Sequence, residues 1–208
     1  ELPDIPIIAA RAKAEHGGIA GMDAATLTAL GAEYLDRIRV HRKSDKPLFI
    51  DKLPNNWFHV GFIHLILPNA RIIDARRNPL DCCFSNFRQH FARGQGFAYS
   101  LDELGHYYAD YARLMAHFDA VLPGRVYRVI HERLLDDPEA EVRALLDHIG
   151  VDFDPACLRF HENDRAVHTA SSEQVRRPIN RDGVGVWKRY AASLDPLEKA
   201  LGSLVAEY

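Results

Sequence analysis

Residues 71–94 read R-I-I-D-A-R-R-N-P-L-D-C-C-F-S-N-F-R-Q-H-F-A-R-G, and this stretch decides how the rest of the chain is interpreted. Positions 72–73 begin a short apolar run of the kind that forms a buried strand. The pair Asn-Pro at 78–79 is typical of a helix N-cap and first helical residue, and Gly94 is typical of a helix end. The stretch therefore predicts a strand that leads into a helix through a tight turn.

The predicted turn carries arginine next to the amino end of the helix. Unpaired N–H groups and the helix dipole favour an anion at such an end. Arg77 adds a permanent charge and a planar fork that suits phosphate, and Ser85 lies two helical turns further on with a hydroxyl group. The alternative is a strand–helix joint with solvated arginines that binds nothing, and the residues alone leave both interpretations open.

Length and composition limit the class of protein. The chain has 208 residues, which predicts a single domain over residues 1–208 with a substantial core. Its formal net charge of −3 gives no indication of nucleic-acid binding. No apolar run is long enough to span a membrane, and no signal-peptide pattern is present. Cys82, Cys83 and Cys157 make no disulfide framework, so we expect a reducing, cytoplasmic compartment.

The segment 77–85, R-N-P-L-D-x-x-x-S, resembles the 3′-phosphate motif of sulfotransferases that use 3′-phosphoadenosine 5′-phosphosulfate (PAPS). The resemblance implies that Arg77 and Ser85 hold the 3′-phosphate of the donor. It also implies an α/β fold, a three-layer sandwich with a mainly parallel central sheet, as in the P-loop nucleotide kinases.

Two further segments resemble the tyrosylprotein sulfotransferases. In P-L-F-I-D-K-L-P at 47–54 we expect a strand at 48–50, with Lys52 at its end, where ligands gather in α/β sheets. The D-K-x-P pattern implies that Lys52 stabilises the transferring sulfonate. Cytosolic sulfotransferases carry a histidine base at this position, so the resemblance assigns the general base to Glu1, in a stretch similar to E-x-x-x-I-P.

The segment 167–180, V-H-T-A-S-S-E-Q-V-R-R-P-I-N, resembles the nucleotide-binding loop of the tyrosylprotein enzymes. It is even more similar to sulfotransferase domains of bacterial tetratricopeptide-repeat proteins. The resemblance implies that Ser171 stabilises the sulfonate. It also implies contacts to the nucleotide from Gln174, Val175 and Asn180.

Two positions depart from the family pattern. His131 stands where a segment similar to Y-E-x-L-x-x-x-P-E has the tyrosine that contacts adenine. The segment 181–188, R-D-G-V-G-V-W-K, is similar to the glycine-rich end of cytosolic sulfotransferases, whose glycines let backbone N–H groups approach phosphate. Its usual lysine is replaced by Asp182, and Lys188 and Arg181 are the two candidates to compensate.

The remaining elements are predicted from periodicity and from turn residues. We expect helices over 23–42, 57–67, 101–122, 138–149 and 196–208, a strand over 125–130, and mostly irregular structure over 152–180. The first eleven residues predict a loop that leads into a turn or short helix. His59 and His64 are spaced poorly for one helix face, so we expect no metal pair.

One part of a PAPS enzyme is absent from these residues. The family cradles the 5′-phosphosulfate in a glycine-rich loop of the P-x-S-G-T-T type after its first strand, and neither that strand nor that loop is found. Because the chain also starts at Glu1 instead of methionine, we expect a segment upstream of it, and poor turnover by these residues alone.

The sequence therefore predicts a bacterial, cytoplasmic sulfotransferase that moves a sulfonate from PAPS to a hydroxyl of a tyrosine, a sugar or a small molecule. The nucleotide product is 3′,5′-adenosine bisphosphate, and we expect neither a metal nor a nucleic-acid partner. Two alternatives stay open. One is a nucleotide-kinase-like P-loop enzyme, although no G-x-x-x-x-G-K-[ST] segment is evident. The other is a non-catalytic nucleotide-binding domain.

Overall fold

The computed structural model describes residues 1–91, 95–163 and 174–207. This part of the chain is mostly helical, with a small parallel sheet. The α-helices are α1 (Asp4–His16), α2 (Ala24–Ile38), α3 (Val60–Ile66), α4 (Pro79–Phe87), α5 (Leu101–Val121), α6 (His131–Asp136), α7 (Pro138–Ile149) and α8 (Asp195–Leu201). The strands are β1 (Ile72–Arg76) and β2 (Val126–Ile130). Short 3₁₀ helices join several of these elements.

The chain divides into two compact units, each with its own hydrophobic core. Unit 1 comprises Glu1–Ile72 and Leu114–Pro123, and unit 2 comprises Ile73–Arg113 and Gly124–Tyr208. The core of unit 1 is formed by α1, α2 and α3, and the core of unit 2 by α4, α5 and α8. The expectation of a single domain over residues 1–208 stays a prediction.

Helix α1 is longer than the short helix expected near the amino terminus. Its apolar positions Ile5, Ile8 and Ala12 recur at helical spacing and are buried against α2 and α3, which stabilises the helix. Pro3 and Pro6 do not interrupt it, because the amides of a first helical turn need no intrahelical acceptor.

Helix α2 begins as predicted. The side chain of Asp23 accepts a hydrogen bond of 2.8 Å from the Thr26 amide, which confirms the expected N-cap. The helix ends at Ile38 and continues as one 3₁₀ turn over Arg39–His41.

The sheet is smaller than the sequence predicts. Strands β1 and β2 pair in parallel, and α4 and α5 lie in the chain between them. The strand expected at 48–50 is wrong: this segment has no regular structure, and Ile50 is 92% exposed. A short apolar run forms a strand only where a neighbouring strand pairs with it, and the described residues offer it none.

Strand β1 is not the apolar strand that its two isoleucines suggest. Ile73 is 43% exposed, whereas Asp74 and Arg76 are buried on the opposite face. Asp74 is kept in this position by charge-assisted hydrogen bonds. Its Oδ2 accepts from Arg76 at 2.8 Å and from Arg128 of β2 at 3.2 Å, and Tyr111 of α5 donates to its other oxygen.

Several predicted boundaries shift. Helix α4 starts as expected but ends at Phe87, and Gly94 lies outside the described residues. The helix expected over 57–67 consists of a 3₁₀ segment, Pro54–His59, followed by α3. The last helix stops at Leu201, because Gly202 adopts φ +58° and a 3₁₀ segment follows it.

The helix over 138–149 forms as predicted. The side chain of Asp137 accepts from the Ala140 amide at 3.1 Å, and Gly150 ends the helix in the left-handed region at φ +75°. Among the helices that the structure describes, none combines the length and the apolar character needed to cross a membrane.

Candidate functional site

A cavity of about 570 Å³ lies in unit 2. Its lining comes from four places in the chain: the β1–α4 junction, the start of α6, the 3₁₀ helix Pro155–Glu162 and the segment 175–186. The cavity brings together residues that are far apart in sequence and that were singled out above for nucleotide contacts. These are Arg77, Ser85, His131, Val175 and Asn180.

Arg77 follows directly after β1. Its backbone carbonyl accepts a 2.8 Å hydrogen bond from the hydroxyl of Tyr108, which fixes the backbone at the end of the strand. Its guanidinium donates to the carbonyl of Gly183, and its Nε is buried without a hydrogen-bond partner among the described residues. A buried N–H group of this kind gains from an added acceptor. Arg77 therefore has donor capacity left for an anion.

The amino end of α4 is already occupied by groups of the protein. The side chain of Asn78 accepts from the Asp81 amide at 3.1 Å, and Glu132 accepts from the Asn78 amide at 3.0 Å. Glu132 also brings a carboxylate to the end of the helix that attracts anions. The anion preference predicted for this helix end therefore depends on side chains more than on the helix amides.

His131 is the first residue of α6 and follows directly after β2. Burial lowers the pKa of its imidazole, while the carboxylate of Glu132 raises it and the charge of Arg77 lowers it. The imidazole is consequently neutral at pH 7, and a neutral ring can stack on a base or exchange a hydrogen bond with it.

Four further residues of the cavity were not found by sequence reasoning: Asp81, Phe84, Arg88 and Phe160. The Arg88 guanidinium lies 5.5 Å from the centroid of the Phe84 ring, within the range of a cation–π contact. Arg88 has a sequence signal, because it lies three positions after Ser85 and so shares its helix face. Phe160 has no such signal, since its approach depends on how the irregular segment after α7 folds.

The remaining nucleotide-loop predictions differ in how far the structure describes them. Asn180 accepts from the Asp182 amide at 3.1 Å and so shapes the turn that follows. Ser171 and the side chain of Gln174 lie outside the described residues. Lys188 is exposed and does not line the cavity, and Arg181 forms an ion pair with Asp136.

Two of the three residues assigned to the chemistry of transfer, Glu1 and Lys52, lie in unit 1. The ammonium group of Lys52 forms an ion pair with the carboxylate of Glu1, and their side chains are 61% and 44% exposed. An exposed ion pair is weak, because water and salt screen it and two flexible side chains must be held in place. Both groups can therefore exchange this partner for a ligand.

Comparison with known proteins identifies similar chains. Residues 9–155 match the model of the sulfotransferase family. Over 171 residues, 81% of this chain, the sequence is 38% identical to an uncharacterized protein of Aquifex aeolicus (strain VF5). The chain spans 22% of the length of that curated relative.

Proposed function

This chain belongs to the sulfotransferase family, and from that premise we propose that it transfers a sulfonate group from PAPS to an acceptor hydroxyl. A tyrosine, a carbohydrate or a small molecule would supply that hydroxyl, in a bacterial cytoplasm. The observation that carries the proposal is the convergence of Arg77, Ser85 and His131 on one cavity from separate parts of unit 2. The family further implies a P-loop-type fold, which we extend to a three-layer sandwich.

The size and lining of the cavity support its assignment to the adenosine 3′-phosphate half of the donor. Its volume of about 570 Å³ lies within the range typical of ligand pockets. The cavity is lined by a guanidinium whose buried Nε has no hydrogen-bond partner in the described part of the chain, and by a serine hydroxyl. Both groups donate hydrogen bonds and therefore suit a phosphate. Phe84, Phe160 and the neutral His131 supply flat surfaces for a purine. The arginines of the cavity favour an additional phosphate, and its aromatic residues favour the base of a nucleotide.

We assign the chemical roles as follows. PAPS supplies an activated sulfonate whose transfer leaves 3′,5′-adenosine bisphosphate. Glu1 removes the proton of the acceptor hydroxyl, and Lys52 neutralises charge on the sulfonate oxygens. Ser171 donates its hydroxyl to the same group. Arg77 and Ser85 orient the donor through its 3′-phosphate. The ion pair between Lys52 and Glu1 is the state from which both groups separate when the substrates bind.

The nucleotide part of the proposal is tested by ligand-dependent thermal unfolding of the 208-residue chain. The ligands are 3′,5′-adenosine bisphosphate, 5′-AMP and ATP, and the proteins are the wild type, Arg77→Ala and Arg113→Ala. Arg113 is a matched control, because its guanidinium is paired on the surface of α5 with Asp110 at 2.9 Å. A ligand at ~100 times its Kd stabilises the folded state by about 2.7 kcal/mol.

We expect 3′,5′-adenosine bisphosphate to stabilise the folded wild type more than 5′-AMP or ATP does. The effect should be lost in Arg77→Ala and kept in Arg113→Ala. Equal stabilisation by all three nucleotides would instead favour a kinase-like site.

The catalytic part is tested by radiolabelled sulfonate transfer with the natural full-length polypeptide, where Lys52→Ala should abolish turnover. Selective bisphosphate binding without any transfer by the full-length protein would identify a non-catalytic nucleotide-binding domain.

A further inference from the structure

Asp81 is a buried carboxylate that none of the roles above uses. It lies one helical turn after Arg77, in the first turn of α4, and is 3% exposed. Its Oδ2 accepts a hydrogen bond of 2.7 Å from the backbone amide of Gly185, which lies 104 positions away in the chain. Its Oδ1 is buried without a hydrogen-bond partner among the described residues. A carboxylate buried in this way is costly and is retained only where its contacts compensate.

The partner of Asp81 is a tight turn over residues 181–185. The Val184 amide donates to the Arg181 carbonyl at 2.9 Å, and Gly185 adopts φ +71°, which a residue with a side chain adopts only with strain. The turn and the residues just before it form one wall of the cavity. Its position therefore determines the shape of that wall.

Two hydrogen bonds attach the turn to the β1–α4 junction, and the turn accepts in one of them and donates in the other. At the first, the Arg77 guanidinium donates to the carbonyl of Gly183. At the second, the Gly185 amide donates to Asp81. A Cβ atom at Gly183 would lie 2.8 Å from Nη2 of Arg77, so the turn approaches the guanidinium closely and a side chain there would displace it.

The two attachments respond differently to an anion in the cavity. A phosphate is a stronger acceptor than the neutral Gly183 carbonyl and competes with it for the guanidinium. A phosphate does not compete for the Asp81 attachment, since Asp81 is itself the anion there. The bond between Asp81 and Gly185 is thus the attachment that persists while Arg77 changes its acceptor.

We propose that Asp81 is a positioning residue that anchors the 181–185 turn through the Gly185 amide and thereby sets where Arg77 presents its guanidinium to a phosphate. The anchoring is a property of the unliganded protein. Its consequence for the 3′-phosphate rests on the proposed function.

The experiment compares the wild type with Asp81→Ala, Asp81→Asn and the control Asp110→Asn, which removes an exposed carboxylate of α5 in the same unit. Hydrogen exchange of the Gly185 amide is measured without ligand, with the Gly150 amide, which donates to Asp147 and Leu146 at the end of α7, as the internal reference. The Kd for 3′,5′-adenosine bisphosphate is measured on the same four proteins.

We expect the protection of the Gly185 amide to fall about tenfold or more in Asp81→Ala, as for loss of a hydrogen bond to a charged group. The fall should be smaller in Asp81→Asn, whose amide oxygen still accepts a hydrogen bond. Protection at Gly150 should be unchanged. The Kd should rise about tenfold in Asp81→Ala, with an intermediate value in Asp81→Asn and none of these changes in Asp110→Asn.

Unchanged protection of Gly185 in both Asp81 variants would overturn the anchoring role. Reduced protection with an unchanged Kd would overturn the positioning role and leave Asp81 a structural residue. If Asp81→Ala does not fold, Asp81→Asn decides the question by the same two readouts. Failure of the wild type to bind the bisphosphate would overturn the proposed function, whereas the exchange measurement would still decide the anchoring.

Discussion

Tyr34 donates its hydroxyl to the carboxylate of Asp51 at 2.7 Å, and this hydrogen bond joins helix α2 to the residue that precedes Lys52. Tyr34 is 2% exposed, and the second oxygen of Asp51 is buried with no hydrogen-bond partner in the described part of the chain. Burial and the neighbouring carboxylate raise the pKa of Tyr34, so it stays a donor at all ordinary pH values. This hydrogen bond thus attaches the segment that carries Lys52 to helix α2.

Replacing Tyr34 by phenylalanine should destabilise the protein by about 1–3 kcal/mol, because the Asp51 carboxylate stays buried and loses its donor. Urea unfolding measures this change. Tyr190→Phe is the control, since the Tyr190 ring is 48% exposed and water can replace any contact of its hydroxyl. Equal stability of Tyr34→Phe and the wild type would show that Asp51 finds another donor.

Tyr108 should affect nucleotide affinity without touching the nucleotide. Its hydroxyl donates to the Arg77 carbonyl at 2.8 Å, so Tyr108→Phe releases the backbone from which the guanidinium extends. We expect bisphosphate affinity to fall about threefold to tenfold, in line with the loss of one neutral hydrogen bond. Isothermal titration calorimetry measures the affinity. Tyr107→Phe, at the preceding position of α5, keeps a ring stacked on Phe97 at 3.7 Å and should bind normally.

The contrast between local and distant determinants explains how much of the fold could be predicted. The caps at Asp23 and Asn78 and the helix end at Gly150 were predicted correctly, because each depends on residues within one turn of the chain. The strand expected at 48–50 was wrong, because a strand requires a partner that a local pattern cannot supply. The burial of Asp74 was equally hidden, since its donors come from β2 and α5.

The candidate site divides in the same way. Arg77, Ser85 and His131 were found through motifs, and all three line one cavity. Asp81 belongs to the same motif, but its role depends on a turn 104 residues later, which the spacing of residues does not reveal. Phe160 was missed for the same reason. Motifs identified the residues that offer charge and hydroxyl groups, and the three-dimensional structure added those that hold or enclose them.

The cysteines should differ sharply in reactivity. Burial raises the pKa of Cys82 to about 11, with the Arg77 charge acting in the opposite direction, and burial also raises the pKa of Cys83. Cys157 is exposed. Since the thiolate is the reactive form, iodoacetamide at pH 8 should modify Cys157 and leave the adjacent pair intact until the protein unfolds. Mass spectrometry of digested protein measures this, and Cys157→Ser should abolish labelling of the folded state. Rapid modification of Cys82 in the folded protein would contradict the prediction.

The free energy of unfolding should decrease at acidic pH, and His131 should be one cause of this decrease. Burial lowers the pKa of this imidazole in the folded state, so between that value and the unfolded pKa of about 6.5 the unfolded chain binds more protons. The free energy of unfolding therefore rises with pH in this window. Above the window, the contribution of the neutral His131 to stability is fully present. Urea unfolding between pH 5 and 7.5 should show a flatter dependence for His131→Gln. The matched control is His106→Gln, because the His106 side chain is exposed. If the free energy of unfolding of His131→Gln changes with pH as steeply as that of the wild type, His131 is not the group responsible.

The contact between α2 and α3 should tolerate no side chain at Gly31. A Cβ atom at this position would lie 2.0 Å from the carbonyl oxygen of Ile66, and the nearby backbone of both helices cannot yield without moving the unit 1 core. We expect Gly31→Ala to destabilise the protein by about 1–3 kcal/mol, although alanine favours a helix more than glycine does. Gly96→Ala is the matched control, because among the described residues no atom beyond its own chain neighbours lies within 4 Å of the added methyl group, and its backbone is not left-handed. Chemical denaturation of both variants measures the difference. A stabilised Gly31→Ala would mean that helix propensity outweighs the steric contact, and that α2 and α3 do not pack as closely as described.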